Sequence, residues 1–220
     1  MRAISLVLGA GLMVSASAQA VNVSVDQSDA NWLGFMNVSE LDGTPVFGSP
    51  WGVSDLVATF DDPNETLTLS PNTIGDPDPF WYQGGGGPGA PGNKIMEANL
   101  YQEVLDGSFA GQTVTFDGEI LSNSFTSAHE SFIFIRDFAP DFSSVNETII
   151  PITGPGAFSI SLNTINDPAR PVQWGFQTVG VNVWVTDVDP FGEVVIRTIP
   201  TPGAAAMLGL AGLAATRRRR

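Results

Sequence analysis

Apolar residues in the body of this chain recur at every second position, and no stretch of it shows the 3.6-residue period of an amphipathic helix. In Ile95 to Val104, Met96, Ala98, Leu100 and Val104 share one parity, while Glu97, Asn99, Tyr101 and Glu103 take the other. Successive side chains of a β-strand point to opposite faces, so this run predicts a strand with one face in a core and one toward water. Thr113 to Leu121 repeats the pattern, with Val114, Phe116 and Ile120 inward and Thr115, Asp117 and Glu119 outward. Leu67 and Leu69 share a face in Thr66 to Ser70. The run Phe132-Ile133-Phe134-Ile135 inside Ser131 to Phe138 is apolar on both parities, which predicts a strand covered on both sides.

Further extended runs cover Val21 to Val25, Trp32 to Leu41, Val46 to Pro50, Val53 to Phe60, Glu147 to Ile152, Ala157 to Ile165, Val172 to Val188 and Glu193 to Ile199. Turn formers separate them: Asp42-Gly43, the cluster Asp61 to Asn64, Gly154-Pro155-Gly156, Asp167-Pro168 and Asp189-Pro190. About ten short strands with such punctuation predict an all-β chain folded as an antiparallel β-sandwich. The chain contains no cysteine, so no disulfide staples it and the sandwich must rest on its apolar core. One long irregular stretch, Pro71 to Asn93, carries five prolines, the glycine run Gly84 to Gly87 and the aromatic triplet Phe80-Trp81-Tyr82. Its length predicts a flexible surface flap. The glycines do not form a phosphate cradle, because no Gly-Lys-Ser/Thr ending follows them.

The two ends differ from the body. At the start, Arg2 supplies a positive region, Ile4 to Val14 an apolar one, and Ala18-Gln19-Ala20 a small-x-small cleavage site, the layout of a secretory signal peptide. At the other end, Pro200-Thr201-Pro202 is followed by a small-residue apolar run from Gly203 to Thr216 and then by Arg217, Arg218, Arg219 and Arg220. As a helix that run would be about 21 Å long, short of the roughly 30 Å hydrocarbon core, with arginines that can snorkel and act as a positive-inside stop. This tail resembles the PEP-CTERM sorting signal of bacterial surface and matrix proteins, which has a Pro-Glu-Pro motif, a hydrophobic helix and an arginine cluster; Thr201 stands where the family has Glu. The resemblance implies transient membrane attachment through a C-terminal hydrophobic sorting helix and cleavage near the motif by an exosortase-type processing protease. It also implies delivery to the cell surface or extracellular matrix. The expected organisation is a signal peptide over 1–20, a β-sandwich domain over 21–199 and a sorting signal over 200–220.

All 23 acidic residues lie between those ends, whereas Arg2 and the four terminal arginines lie within them. Of nine basic residues the body therefore keeps four, for a formal charge of −19. Such a surface cannot neutralise phosphates, which excludes nucleic acid as a partner. It keeps an exported protein soluble and invites divalent cations; the alternative is that it is only a solvated surface.

Catalysis has little to draw on. His129 is the single histidine, in the polar and expectedly exposed loop Ser127 to Ser131. With neither a second histidine nor a cysteine, no thiolate or His-rich metal site is available, and the sequence points to no catalytic residue. The expectation is a protein that is not an enzyme. In Asp187-Val188-Asp189-Pro190-Phe191-Gly192, acids at the first and third positions and glycine at the sixth match the start of a calcium loop, while Phe191 holds the fifth position and Thr198 the twelfth. Asp187 and Asp189 are thus candidate ligands for a structural calcium; the same residues also make a good turn. For a carbohydrate ligand the candidates are Trp51, Phe80, Trp81 and Tyr82, which lie in or beside loops. There an aromatic face can stack on a sugar while neighbouring Asp and Asn take its hydroxyls. The alternative is that these aromatics cover the ends of the sandwich. Trp32, Trp174 and Trp184 fall within extended runs and read as core or sheet-face residues.

The passage Asn99-Leu100-Tyr101-Gln102-Glu103-Val104, followed by Ala110-Gly111-Gln112-Thr113-Val114-Thr115-Phe116, is similar to two central strands of galactose-binding-type jelly rolls, among them carbohydrate-binding modules. The similarity implies a jelly roll, a fold of a kind that often holds a structural calcium, and carries no site residue across. The expected role is structural or adhesive at the cell surface or in the matrix. A carbohydrate-binding module acting on extracellular polysaccharide is the alternative, and a glycan hydrolase or lyase on the same scaffold is a third reading, since fold alone does not choose among them.

Overall fold

The computed structural model describes residues 20–199. The expected signal peptide, apart from Ala20, and the expected sorting signal, with Pro200, Thr201, Pro202 and Arg217 to Arg220, lie outside the described residues. In chain order the strands are β1 (Ala20–Ser24), β2 (Leu33–Ser39), β3 (Pro45–Trp51), β4 (Ala58–Asp61), β5 (Thr66–Leu69), β6 (Ile95–Val104), β7 (Thr113–Asn123), β8 (His129–Phe138), β9 (Val145–Pro151), β10 (Gly156–Asn163), β11 (Val172–Val181) and β12 (Val194–Arg197). They form two six-stranded sheets, as the alternation predicts for a β-sandwich. Sheet 1 runs from β10 to β7, then to β1 and β12, which share the other side of β7, and on to β5 and β4. Sheet 2 has the order β3-β2-β6-β11-β8-β9 and is antiparallel throughout. From β5 onward the chain changes sheet at every connection except β8 to β9, which produces the orders β10-β7-β12-β5 and β6-β11-β8-β9.

The core follows from the alternation. Met36 and Val38, Met96 and Leu100, Ile133 and Ile135, and Trp174 and Phe176 face inward from sheet 2, against Val114, Phe116, Ile120, Val194 and Ile196 of sheet 1, all of them buried. Each such side chain contributes about 1.5–3 kcal/mol on leaving water, which is what a chain without disulfides depends on. At the centre Phe116 meets Phe158 edge-on at 5.3 Å and lies 5.6 Å from Phe176, a geometry favoured by the ring quadrupoles.

Three stretches depart from the sequence reading, each for a local reason. The β1–β7 pair is parallel rather than antiparallel. The four-residue β12 covers only the end of β7, leaving the backbone groups of Thr113 to Asp117 to be paired, and a first strand reaches them without a tight turn. Val53 to Phe60 is not one strand: Val53–Leu56 is a 3-10 turn, Val57 takes a left-handed φ of 53°, and only then does β4 begin. Val172 to Val188 is extended only to Val181, because the Asn182 side chain turns to serve another segment. Its Oδ1 accepts from the backbone N–H of Asn93 and Lys94, at 3.1 and 3.0 Å, and its Nδ2 donates to the Trp81 carbonyl at 2.9 Å.

Two further contacts fix the layers. Asp137 is fully buried and takes the Arg170 Nε at 2.7 Å, the Arg170 Nη2 donates to the Asp137 carbonyl, and the Ile165 N–H donates to the second carboxylate oxygen. At the sandwich edge, Asn146 Nδ2 and Thr148 Oγ1 of β9 donate to the carbonyls of Asn163 and Ser161 on β10, each at 3.0 Å.

Candidate functional site

The parity that sends Met96, Ala98 and Leu100 into the core sends Glu97, Asn99, Tyr101 and Glu103 to the outer face of sheet 2. Register places them beside Phe35 and Asn37 of β2, beside Gln173, Gly175 and Gln177 of β11 and, across β11, beside Phe134 and Arg136 of β8. A groove of about 600 Å³ lies on this face, lined by Phe35, Asn37, Pro50, Asn99, Tyr101, Glu103, Arg136, Phe138, Phe142 and Gln173.

Its floor is a connected polar network. Asn99 Oδ1 accepts from Arg136 Nη1 at 2.7 Å and from Gln177 Nε2 at 3.1 Å, while Asn99 Nδ2 donates to Glu97 Oε1 at 3.2 Å. Asn37 Nδ2 donates to the same Glu97 oxygen at 2.8 Å, Arg136 Nε to Glu147 at 3.0 Å, and Gln173 Nε2 to Glu103 Oε1 at 2.7 Å. Asn99, Gln173 and Gln177 are only 4%, 7% and 6% exposed. Buried amides on the solvent-facing parity of a sheet are costly unless bonded, and here each is bonded in a way that holds its orientation. The guanidinium of Arg136 also lies 4.0 Å over the Phe134 ring, which fixes its plane. Between Tyr101 and Phe134 stands Gly175, where a Cβ would come within 2.1 Å of the Leu100 carbonyl oxygen, so this point of the floor carries no side chain.

Aromatic rings stand along the groove. Phe35 and Tyr101 are half-buried; Phe142, 60% exposed, packs on Phe138 at 5.4 Å from a left-handed backbone with φ 58°. A bulky residue held in that region stores strain of about 1–3 kcal/mol, and it is held here by the Phe142 N–H bond to the Ala139 carbonyl. Burial raises the Tyr101 phenol above its ordinary value and the Glu103 carboxylate adds to the rise, so at neutral pH the hydroxyl is protonated and can both donate and accept.

The residues singled out from the sequence lie elsewhere. Trp51 ends β3, donates its indole N–H to Ser49 Oγ at 3.0 Å, and lines a separate hollow of about 550 Å³ with Ser54, Asp55 and Thr73. Phe80 is 38% exposed and meets the half-buried Trp81 edge-on at 4.7 Å, with Lys94 Nζ 4.3 Å above the Phe80 ring. Tyr82 departs from the reading of these aromatics as a sugar-stacking edge. It is 0% exposed, packs edge-on against Trp184 at 5.4 Å, and points its hydroxyl at the carbonyls of Ile74 and Val183. Tyr82 is therefore part of the packed interior and offers no face to a sugar. Nor is the flap a loose one: Asn182 grips the Trp81 carbonyl and the Asn93 amide, and Asp187 Oδ2 accepts the Gly89 N–H at 2.6 Å.

That bond places one oxygen of Asp187 on the flap, and the other accepts the Thr186 hydroxyl at 2.9 Å; Asp189 opens a 3-10 turn over Asp189–Phe191. Among the described residues no group of three or more His, Asp or Glu is placed to hold a metal ion. His129 is also not an exposed loop residue. It starts β8 at 3% exposure, with Phe125 at 5.8 Å and Phe191 at 5.1 Å, and occupies the space that a Cβ on Gly180 would fill. Its Nε2 lies 3.1 Å from the Val181 carbonyl, an acceptor, so Nε2 carries the proton; burial lowers the pKa and the Val181 bond partly opposes that.

The groove residues were recoverable in part. Gln173 and Gln177 interrupt the otherwise apolar and small-residue run Val172 to Val181, and polar groups in a central strand call for partners. What the sequence does not contain is the register that brings Arg136 to Asn99 across β11. Compared with models of known families, with curated proteins and with solved structures, the chain matches none of them.

Proposed function

We propose that this chain is an exported binding module of the cell surface or extracellular matrix, which exerts a structural or adhesive role by holding a polysaccharide in the groove on sheet 2. One observation carries the reading. A volume of about 600 Å³ is bordered by Phe35, Tyr101, Phe138 and Phe142 and floored by amides and carboxylates already oriented by mutual hydrogen bonds. Sugar rings present apolar faces and a rim of hydroxyls, and a site with flat rings beside fixed polar atoms meets both at little ordering cost. The size falls within the range of about 300–1,000 Å³ that ligand sites occupy.

We read the sandwich as a jelly roll. The support is the pair of four-strand orders, β10-β7-β12-β5 and β6-β11-β8-β9, with sheet changes at all connections but one, as two Greek keys produce. The export and sorting reading rests on the residues at the two ends, Arg2 to Ala20 and Pro200 to Arg220.

Retention of the secreted protein on a panel of insoluble polysaccharides tests the groove, with Tyr101→Ala and Phe142→Ala as variants. Retention on at least one polysaccharide, reduced tenfold or more in either variant at an unchanged melting temperature, is expected. Retention that survives both substitutions would move the binding surface elsewhere.

A further inference from the structure

We infer that the groove on sheet 2 selects glycans without acidic groups and rejects those bearing uronate or sulfate. This rests on the groove reading above and adds the chemical class of the ligand. Every amide of the floor already gives an N–H within the network: Asn37 and Asn99 donate to Glu97, Gln177 to Asn99, and Gln173 to Glu103. The charge of the one cation at the groove is already paired, since Arg136 gives Nε to Glu147; it also gives one Nη1 hydrogen to Asn99 and lays its plane on Phe134, which leaves its other N–H groups for neutral acceptors. What remains, among the described residues, is a mixture: acceptors at Asn37 Oδ1, Glu103 Oε2 and Gln173 Oε1, the second amide hydrogens of Asn37 and Gln173, and the Tyr101 hydroxyl, able to act either way.

Such a mixed surface suits sugar hydroxyls, each of which both donates and accepts. Charge points the same way. Glu97, Glu103 and Glu147 stand against the single guanidinium of Arg136, on a body whose formal charge is −19. An anionic sugar would lose hydration and find no unpaired cation. It would also meet like charge that is screened only over about 10 Å at 0.1 M salt. A hydroxylated neutral chain meets neither obstacle, and an amino sugar would be drawn in.

The test is affinity electrophoresis of the secreted protein in chelator-containing buffer at low salt. The probes are a neutral glucan, a polyuronate and a glucosamine polymer; the chelator prevents divalent ions from bridging acid to acid. Expected are binding of the neutral glucan or the glucosamine polymer and at least tenfold weaker binding of the polyuronate, a gap that narrows as salt rises. Glu103→Gln keeps the oxygen that accepts from Gln173 and removes the charge. It should narrow the gap by roughly threefold, the worth of one unit charge about 6 Å away in water. Polyuronate binding equal to or tighter than the other two, or a gap that Glu103→Gln and salt leave unchanged, would overturn the inference while leaving the groove as the site. Failure of all three probes, or binding indifferent to Tyr101→Ala, would remove the groove reading itself and this inference with it.

Discussion

Replacing Tyr82 measures how far the segment Pro71 to Asn93 belongs to the folded body. Its ring is fully buried against Trp184, and its hydroxyl serves the carbonyls of Ile74 and Val183, the first on the flap side and the second just beyond β11. Tyr82→Phe keeps the ring and removes the donor, leaving the buried Val183 carbonyl and the part-buried Ile74 carbonyl without it, at a cost of about 1–3 kcal/mol. Tyr82→Ala removes the ring as well, and truncating a buried aromatic costs about 3–5 kcal/mol. For a domain of this size each kcal/mol lowers the melting temperature by about 2–4 °C. A central value of roughly 2 kcal/mol for Phe thus predicts a fall of about 4–8 °C, and roughly 4 kcal/mol for Ala about 8–16 °C. Differential scanning calorimetry of the purified protein reads both, and limited proteolysis at the Gly84 to Gly87 run reads local opening. If Tyr82→Ala melts within about 1 °C of the parent while the glycine run becomes readily cut, the flap opens separately from the sandwich. The claim that Tyr82 is a core residue then fails.

Arg170→Leu leaves the fully buried Asp137 without its cation and should cost about 3–5 kcal/mol, seen as a lowered urea midpoint at unchanged slope; a loss under about 1 kcal/mol would show the pair to be dispensable. His129 is buried with its pKa lowered, so on acidification the unfolded chain takes the proton first, near its ordinary 6.5, and stability falls from that pH down to the lowered native value. His129→Gln retains a donor for the Val181 carbonyl and should flatten the melting temperature between pH 7 and 5 relative to the parent; equal slopes would contradict the buried neutral ring. Intact mass of the protein made in its native host should show loss of residues 1–20 and of the chain beyond about Pro202, and a main species that keeps Arg217 to Arg220 would end the sorting proposal.

Where side-chain parity decides structure, the sequence was a sufficient guide. Val114, Phe116 and Ile120 point inward as their spacing requires, and Met96, Ala98 and Leu100 do the same in β6, because a one-residue slip would put every one of them in water. Position in a loop was a poor guide to exposure. Tyr82 and His129 lie in polar, turn-rich surroundings, and both are buried by partners more than fifty residues away, at Val183 and Val181. No local pattern encodes such contacts. The groove fell between these cases. The outward parity of Asn99 and Tyr101 was evident from β6 alone, but the site needs β2, β8 and β11 in register, and strand order is a property of the whole chain. The four aromatics chosen from loops were selected for accessibility, whereas the groove aromatics sit on strands or, like Phe142, on a turn set by its backbone.

The two side chains that β9 extends to the carbonyls of β10 bear on how this protein tolerates crowding by copies of itself. An open strand is a template: its row of unpaired acceptors and donors invites any similar strand to add on, and at high local density that ends in fibres. Asn146 and Thr148 occupy the acceptors of Asn163 and Ser161, so two carbonyls on the β10 margin of sheet 1 are already answered from within the same molecule. The margins of sheet 2 are blunted differently, by Pro45 and Pro50 in β3 and by Pro151 at the end of β9, residues that have no N–H to offer. Copies brought to high local density are thereby hindered from adding strand to strand at the β10, β3 and β9 margins, and contacts there are left to side chains, where selectivity resides.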